Sequence, residues 1–126
     1  MPRILYIEDN RDNRMLVRRI LLASDHDFVL DEAESALEGI AIAQQKRPDL
    51  ILMDVSMPDM DGLTATGRIR NMPEIKDTVI VALTANAMEG DRERTLQAGC
   101  DGYIRKPIDV DKLPDEILYY LRSRRS

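Results

Sequence analysis

Leu50-Ile51-Leu52-Met53-Asp54 is four apolar residues closed by an acid, and the turn Val55-Ser56-Met57-Pro58-Asp59-Met60-Asp61-Gly62 follows at once. A short apolar run bounded by turn residues reads as a strand buried on both faces, as in a parallel sheet. The run Ile4-Leu5-Tyr6-Ile7 ends in the same way, in Glu8-Asp9. In an open parallel sheet the C-terminal strand ends are where ligands bind. If these two strands are neighbours, three carboxylates converge on one point. At an effective dielectric of about 20, two unit charges about 4 Å apart repel by about 4 kcal/mol. Such a cluster calls for a cation, and three oxygen ligands in a tight site suit Mg²⁺.

Apolar runs and helical periods alternate along the whole chain. Strands are expected at Arg3–Ile7, Phe28–Glu32, Leu50–Met53, Val79–Leu83 and Tyr103–Ile104. The segments between them carry apolar residues at spacings of three and four, the mark of amphipathic helices. Val17, Ile20 and Leu21 share one face, Leu37, Ile40 and Ala41 a second, and Leu113, Ile117, Tyr120 and Leu121 a third. Ser35 with Glu38 reads as a capping box. Asp61 is placed to cap the third helix and Gly99 to close the fourth. Pro114 fits a last helix running from Lys112 to about Arg122 if Asp111 is its N-cap. The expected fold is a doubly wound α/β (βα)₅ with helices on both faces of a parallel sheet. Its common five-stranded order is 2-1-3-4-5, which puts strands 1 and 3 side by side at the switch point.

Composition bounds the rest. The 126 residues read as one domain, 1–126, with a regular part at about 3–122 and a frayed basic tail at 123–126. One Phe and no Trp leave an aliphatic core. A net charge of −5 argues against nucleic acid as a direct partner. The single Cys100 cannot form an intrachain disulfide, which points to the reducing cytoplasm. No run approaches the ~20 apolar residues of a membrane span, and Met1-Pro2-Arg3 leads into a strand with no signal-peptide core.

Thr84 closes the fourth strand, and Lys106 follows the fifth in Arg105-Lys106-Pro107. Both belong to the acid-bearing rim. Three carboxylates, a hydroxyl and an ammonium make a site for an incoming phosphoryl group, whose transfer depends on positioning and on neutralising its oxygens. Asp54, at the centre, would be the nucleophile. Each residue alone has an ordinary explanation. An acid at a strand end is usually a cap or a solvated loop residue, and a lysine is usually a surface charge. Those explanations would all have to hold at once, at positions that one topology brings together.

Glu8-Asp9-Asn10, Asp54 before Met57-Pro58-Asp59-Met60-Asp61-Gly62, Thr84-Ala85 and Lys106-Pro107 resemble the receiver domain of two-component response regulators, from Arg3 to about Arg122. The resemblance implies that Asp54 takes phosphate from a phosphohistidine. It implies that Asp9 and Asp54 ligate Mg²⁺ directly, Glu8 through water, and Ser56 by its carbonyl. Lys106 and the Ala85 amide would meet the phosphate, with Lys106-Pro107 a cis peptide. Tyr103 would turn inward when the Thr84 hydroxyl moves. Ser56 and Asn86 are placed to tune the phosphorylated lifetime. The implied partners are a histidine kinase or histidine phosphotransfer protein, and an effector reading the face of helix 4, strand 5 and helix 5 through Met88, Tyr103, Arg105 and Val110. No nucleic acid or membrane is implied, and the protein would be a monomer or weak dimer.

The chain stops after the fifth helix, which fits a single-domain regulator of the chemotaxis or cell-division type. Glu8-Asp9-Asn10, Asn13 and the stretch from Thr84 to Asp91 also resemble hybrid-kinase phosphorelay receivers, so a relay intermediate is a second expectation. A haloacid-dehalogenase-type phosphatase would need an aspartate at position 56, where Ser stands. An inert pseudo-receiver would lack the acids or the lysine. A flavin mononucleotide binder would carry a phosphate-cradling loop after the first strand. His26, in the polar turn Ser24-Asp25-His26-Asp27, is assigned no catalytic role.

Overall fold

The computed structural model describes residues 2–85 and 91–123, with Asp91 described by its backbone alone. Its elements are β1 (Arg3–Ile7), α1 (Arg11–Ala23), β2 (Val29–Ala33), α2 (Ala36–Lys46), β3 (Leu50–Asp54), α3 (Gly62–Arg70), β4 (Val79–Thr84), α4 (Asp91–Gln97), β5 (Gly102–Arg105) and α5 (Leu113–Arg122). The strands form one parallel sheet in the order β2-β1-β3-β4-β5. Ile7 pairs with Met53, and Asp54 with Leu83. The expected doubly wound (βα)₅ sheet is therefore present, with β1 and β3 adjacent.

Every residue of β3 and β4 is buried, as central strands covered on both faces require. Two aliphatic clusters lie on opposite faces of the sheet. One gathers Leu5, Ile7, Ile40, Ile51, Met53 and Ile69; the other gathers Ile4, Tyr6, Val17, Leu21, Leu52 and Ile117. Alternation along β1 sends Leu5 and Ile7 to one and Ile4 and Tyr6 to the other.

Three local expectations need correction. The second strand begins at Val29, because its ladder starts where Val29 N–H donates to the Pro2 carbonyl; Phe28 packs in the core just before it. The buried face of α2 is Ala36, Gly39, Ile40 and Ala43, while Leu37 is 56% exposed. Small residues set that face. A Cβ on Gly39 would lie 2.3 Å from Ile7 Cδ1, so α2 rests directly on β1 through its glycine. Asp111 does not cap α5: the N-cap is Lys112, without a side-chain bond. The Asp109 carbonyl instead accepts from the Lys112 and Leu113 amides, which starts the turn earlier and still leaves Pro114 in the first turn.

Other caps are as expected or nearly so. Asp61 accepts from the Leu63 amide at 2.7 Å, and Gly99 has φ +109°. Ser35 Oγ accepts from Glu38 N, but the Glu38 carboxylate accepts from Glu34 N rather than from Ser35.

Candidate functional site

The sheet's own hydrogen bonds run on past the strand ends and fix the main chain of the site. Glu8 N–H donates to the Ala33 carbonyl at 3.0 Å, Val55 N–H to Leu83 at 3.0 Å, and Lys106 N–H to Thr84 at 2.8 Å. Helix α3 closes over the end of β3. Gly62 N–H donates to the Val55 carbonyl at 2.8 Å, and a Cβ on Gly62 would sit 2.3 Å from the Asp54 carbonyl oxygen. Only glycine permits that approach.

One carboxylate oxygen from each of Glu8, Asp9 and Asp54 lies within 4.8 Å of the others. Glu8 is 1% and Asp54 3% exposed, whereas Asp9 faces solvent. Lys106 Nζ sits between the two buried acids, 3.0 Å from Glu8 Oε1 and 3.1 Å from Asp54 Oδ1. The Ser56 amide donates to the same Asp54 oxygen at 3.3 Å. The Lys106-Pro107 peptide is cis.

One ammonium cannot satisfy two buried carboxylates and a third nearby. Burial, and then the hydrogen bond and charge of Glu8, push the Asp54 carboxyl up, against the opposing pull of Lys106. Burial also disfavours the Glu8 anion, but its hydrogen bonds with Asp54 and Lys106 prevail and hold its carboxyl well below the usual range. Burial likewise works against the Lys106 ammonium, and its bonds to both acids outweigh this and raise it. In effect the two acids share one proton. A cation can replace that proton. The donor set fits Mg²⁺, which takes oxygen ligands and keeps several waters: two of the three carboxylates are buried and one is open to solvent.

Beside Asp54 opens a cavity of about 420 Å³ whose lining includes Ser56, Thr84, Ala85 and Arg94. Thr84 is itself buried. Tyr103 lies away from this cavity, half-buried against the core cluster that holds Met53, and its carbonyl accepts from the Tyr120 hydroxyl at 3.4 Å. Arg105 and Val110 are exposed. Asn86 and Met88 lie outside the described residues. His26 approaches Asp115, in the first turn of α5, at 4.0 Å.

Sequence reasoning passed over four contributors. Tyr6 OH and Asn13 Nδ2 each donate to Glu8 Oε1 at 3.1 Å. Arg14 Nη1 donates to the Glu8 carbonyl at 2.7 Å. Asp59 accepts at 3.0 Å from both the Ala36 and Leu37 amides, tying the loop after Asp54 to the start of α2. Strand alternation puts Tyr6 on the same face as Glu8, a signal available in the sequence. Asp59 gives no such signal, since its partners are 22 and 23 residues away.

Comparison with known proteins converges on one family. The response regulator receiver domain model matches residues 4–118. The chain is 38% identical over 122 residues to the polar-differentiation response regulator DivK of Brucella anthropi, covering 96% of this chain and 98% of that one. Among solved structures it is similar to the chemotaxis protein CheY4 of Vibrio cholerae, with TM-score 0.87, 27% identity, and 95% and 98% coverage. It is also similar to the receiver domain of the sensor histidine kinase PA1611 of Pseudomonas aeruginosa, with magnesium coordinated in that protein's active-site cleft. There the TM-score is 0.85 and the identity 33%, over 96% and 98% of the two chains. The sheet order, the acidic rim and these relatives agree: the chain belongs to the response regulator receiver domain family.

Proposed function

We propose that this receiver takes a phosphoryl group from a phosphohistidine of a sensor kinase or phosphotransfer protein onto Asp54, in the cytoplasm, and signals through its changed surface. A carboxylate oxygen of Asp54 attacks phosphorus, the P–O bond forms as the P–N bond breaks, and the imidazole of the donor leaves. Asp9, Asp54 and the Ser56 carbonyl would hold Mg²⁺, with Glu8 acting through water, and the ion would supply charge neutralisation. Lys106 neutralises a further phosphoryl oxygen. The Thr84 hydroxyl and the Ala85 amide donate to the others. Ser56 and Asn86, each two positions along the sequence from a site residue, set the phosphorylated lifetime.

The single observation carrying this reading is the Lys106 ammonium placed between Glu8 and Asp54 at 3.0 and 3.1 Å. Such an arrangement has one buried acid too many for its cation. The protein acts as a signalling component, catalysing only its own phosphorylation and dephosphorylation. As monomer or weak dimer it offers α4, β5 and α5 to a protein effector, with Tyr103, Arg105 and Val110 as contacts.

A second reading, phosphate passed on to a histidine phosphotransfer protein, draws support from the similarity to a receiver of a sensor histidine kinase. A phosphatase reading has Ser56 against it, and a colorimetric phosphatase assay tests it. The phosphoryl-acceptor reading is tested with radiolabelled acetyl phosphate and Mg²⁺. Wild type should be labelled, a chelator should prevent labelling, and Asp54→Asn should remain unlabelled. Undiminished, acid-stable label on Asp54→Asn would overturn the assignment.

A further inference from the structure

Tyr6 and Glu8 stand two residues apart on β1, so their side chains leave the same face of the strand. Tyr6 has no exposed surface and packs among aliphatic residues, yet its hydroxyl reaches Glu8 Oε1 at 3.1 Å. From the first turn of α1, Asn13 Nδ2 reaches the same oxygen at 3.1 Å. Lys106 Nζ is the third donor to it, at 3.0 Å. One oxygen of a buried carboxylate therefore takes a phenol, an amide and an ammonium. Of the three, Lys106 alone is also bonded to Asp54.

A phosphoryl group on Asp54 would raise the negative charge there to about −2 and draw the ammonium away from Glu8. A buried carboxylate deserted by its cation is strongly disfavoured unless other donors remain. We propose that the Tyr6 hydroxyl and the Asn13 amide are positioning groups that hold Glu8 when Lys106 turns to the phosphoryl group, which lets the ammonium go. This rests on the phosphoryl-acceptor reading of Asp54. Both donors are neutral, so neither is drawn strongly toward the phosphoryl group. Both are also held in place: Tyr6 by the core, and Asn13 by its main-chain N–H, which donates to Asn10 Oδ1 at 2.9 Å and anchors the start of α1. Without them Lys106 is, among the described residues, the one donor left on Glu8 Oε1, with only the Asn10 main-chain N–H at 3.4 Å on the other oxygen, and Glu8 competes with the phosphoryl group for the ammonium.

The test is a titration with beryllofluoride, a phosphoryl mimic, in saturating Mg²⁺, followed by amide resonances. Wild type, Tyr6→Phe and Asn13→Ala are compared with and without Lys106→Met. Each single variant should bind the mimic about tenfold more weakly than wild type, the worth of about one hydrogen bond to a charged group. In the Lys106→Met background the same substitutions should change nothing, because no ammonium remains to be released. Unchanged affinity in the single variants overturns the proposal. An equal loss in both backgrounds also overturns it, since Tyr6 and Asn13 then act on the shape of the site and not through Lys106. Asn13→Ala places a good helix former in α1 and keeps the test decisive if Tyr6→Phe folds poorly. Failure of wild type to bind the mimic would count instead against the phosphoryl-acceptor reading itself.

Discussion

Lys106 Nζ lies 3.1 Å from Asp54 Oδ1, although the two residues are 52 apart in sequence, Asp54 ending β3 and Lys106 following β5. The same ammonium is 3.0 Å from Glu8. In this resting arrangement one cation serves two buried carboxyls that hold a proton between them, and a second cation can take that proton's place. Asp54 is the residue on which these opposing demands meet.

The first consequence is a pH dependence of stability. The Asp54 carboxyl is pushed up from 3.8 to about 7, by burial and then by Glu8. Between those values the native state holds a proton that the unfolded chain has lost, so stability falls as pH rises through that window. Glu8 acts oppositely. It is held down at about 2, so its contribution is present above about 4.5 and lost as pH falls toward 2. Chemical unfolding of metal-free protein should therefore show stability declining from about pH 5 to about pH 8. Millimolar Mg²⁺ should abolish the decline by replacing the shared proton and binding only the native state. A flat metal-free profile, or a melting temperature indifferent to Mg²⁺, would contradict the account of the cluster.

Gly62→Ala tests the closure of α3 over the acceptor strand. The new Cβ would meet the Asp54 carbonyl oxygen at 2.3 Å. Overpacking of this kind costs about 1–3 kcal/mol. Because the clash falls on the Asp54 backbone, Mg²⁺ affinity should drop along with stability. Urea unfolding and calorimetric titration measure the two, and a variant of wild-type stability would show that the helix start yields freely.

Asp59→Ala should cost about 1 kcal/mol, the usual loss for an N-terminal capping side chain. Asp59→Asn keeps an acceptor oxygen and should recover much of that loss. Equal stability of all three proteins would mean that the tie from the Asp54 loop to the amides of Ala36 and Leu37 carries no energy in solution.

The switch itself should run through Thr84. Moving a population from 1:99 to 99:1 takes about 5.5 kcal/mol of differential interaction. One hydroxyl bond to a charged acceptor supplies only about 1.5–3 kcal/mol. Thr84→Ala should therefore weaken the response without preventing phosphorylation, because Lys106 and the Ala85 amide also contribute. Amide shifts induced by beryllofluoride should spread from Asp54 to Tyr103 in wild type and shrink at Tyr103 in the variant. Shifts confined to the Asp54 loop in wild type would favour phosphate as cargo over phosphate as switch.

The sheet order and the acidic rim were legible because they rest on short-range patterns: apolar runs ending in acids, and helical spacing between them. Asp61 as a cap and Gly99 at positive φ were legible for the same local reason. What escaped depends on packing. The buried face of α2 follows from Gly39 lying on Ile7, a contact that no periodicity within α2 reveals. Asp59 reaches across to α2 from the loop after Asp54, and Arg47 ends α2 in the left-handed region without being glycine. Strand alternation puts Tyr6 on the Glu8 face, but whether its hydroxyl reaches the carboxylate is decided by packing, since the strand reads equally well with phenylalanine.

The most direct measurement is chemical. The protein is phosphorylated by acetyl phosphate with Mg²⁺, reduced with borohydride, digested, and mapped by mass spectrometry. An acyl phosphate on an aspartate is converted to homoserine by that treatment. Homoserine is expected at position 54, with Asp9 and Asp59 unmodified. Homoserine at another acid, or phosphate that resists borohydride on a serine, threonine or histidine, would contradict it.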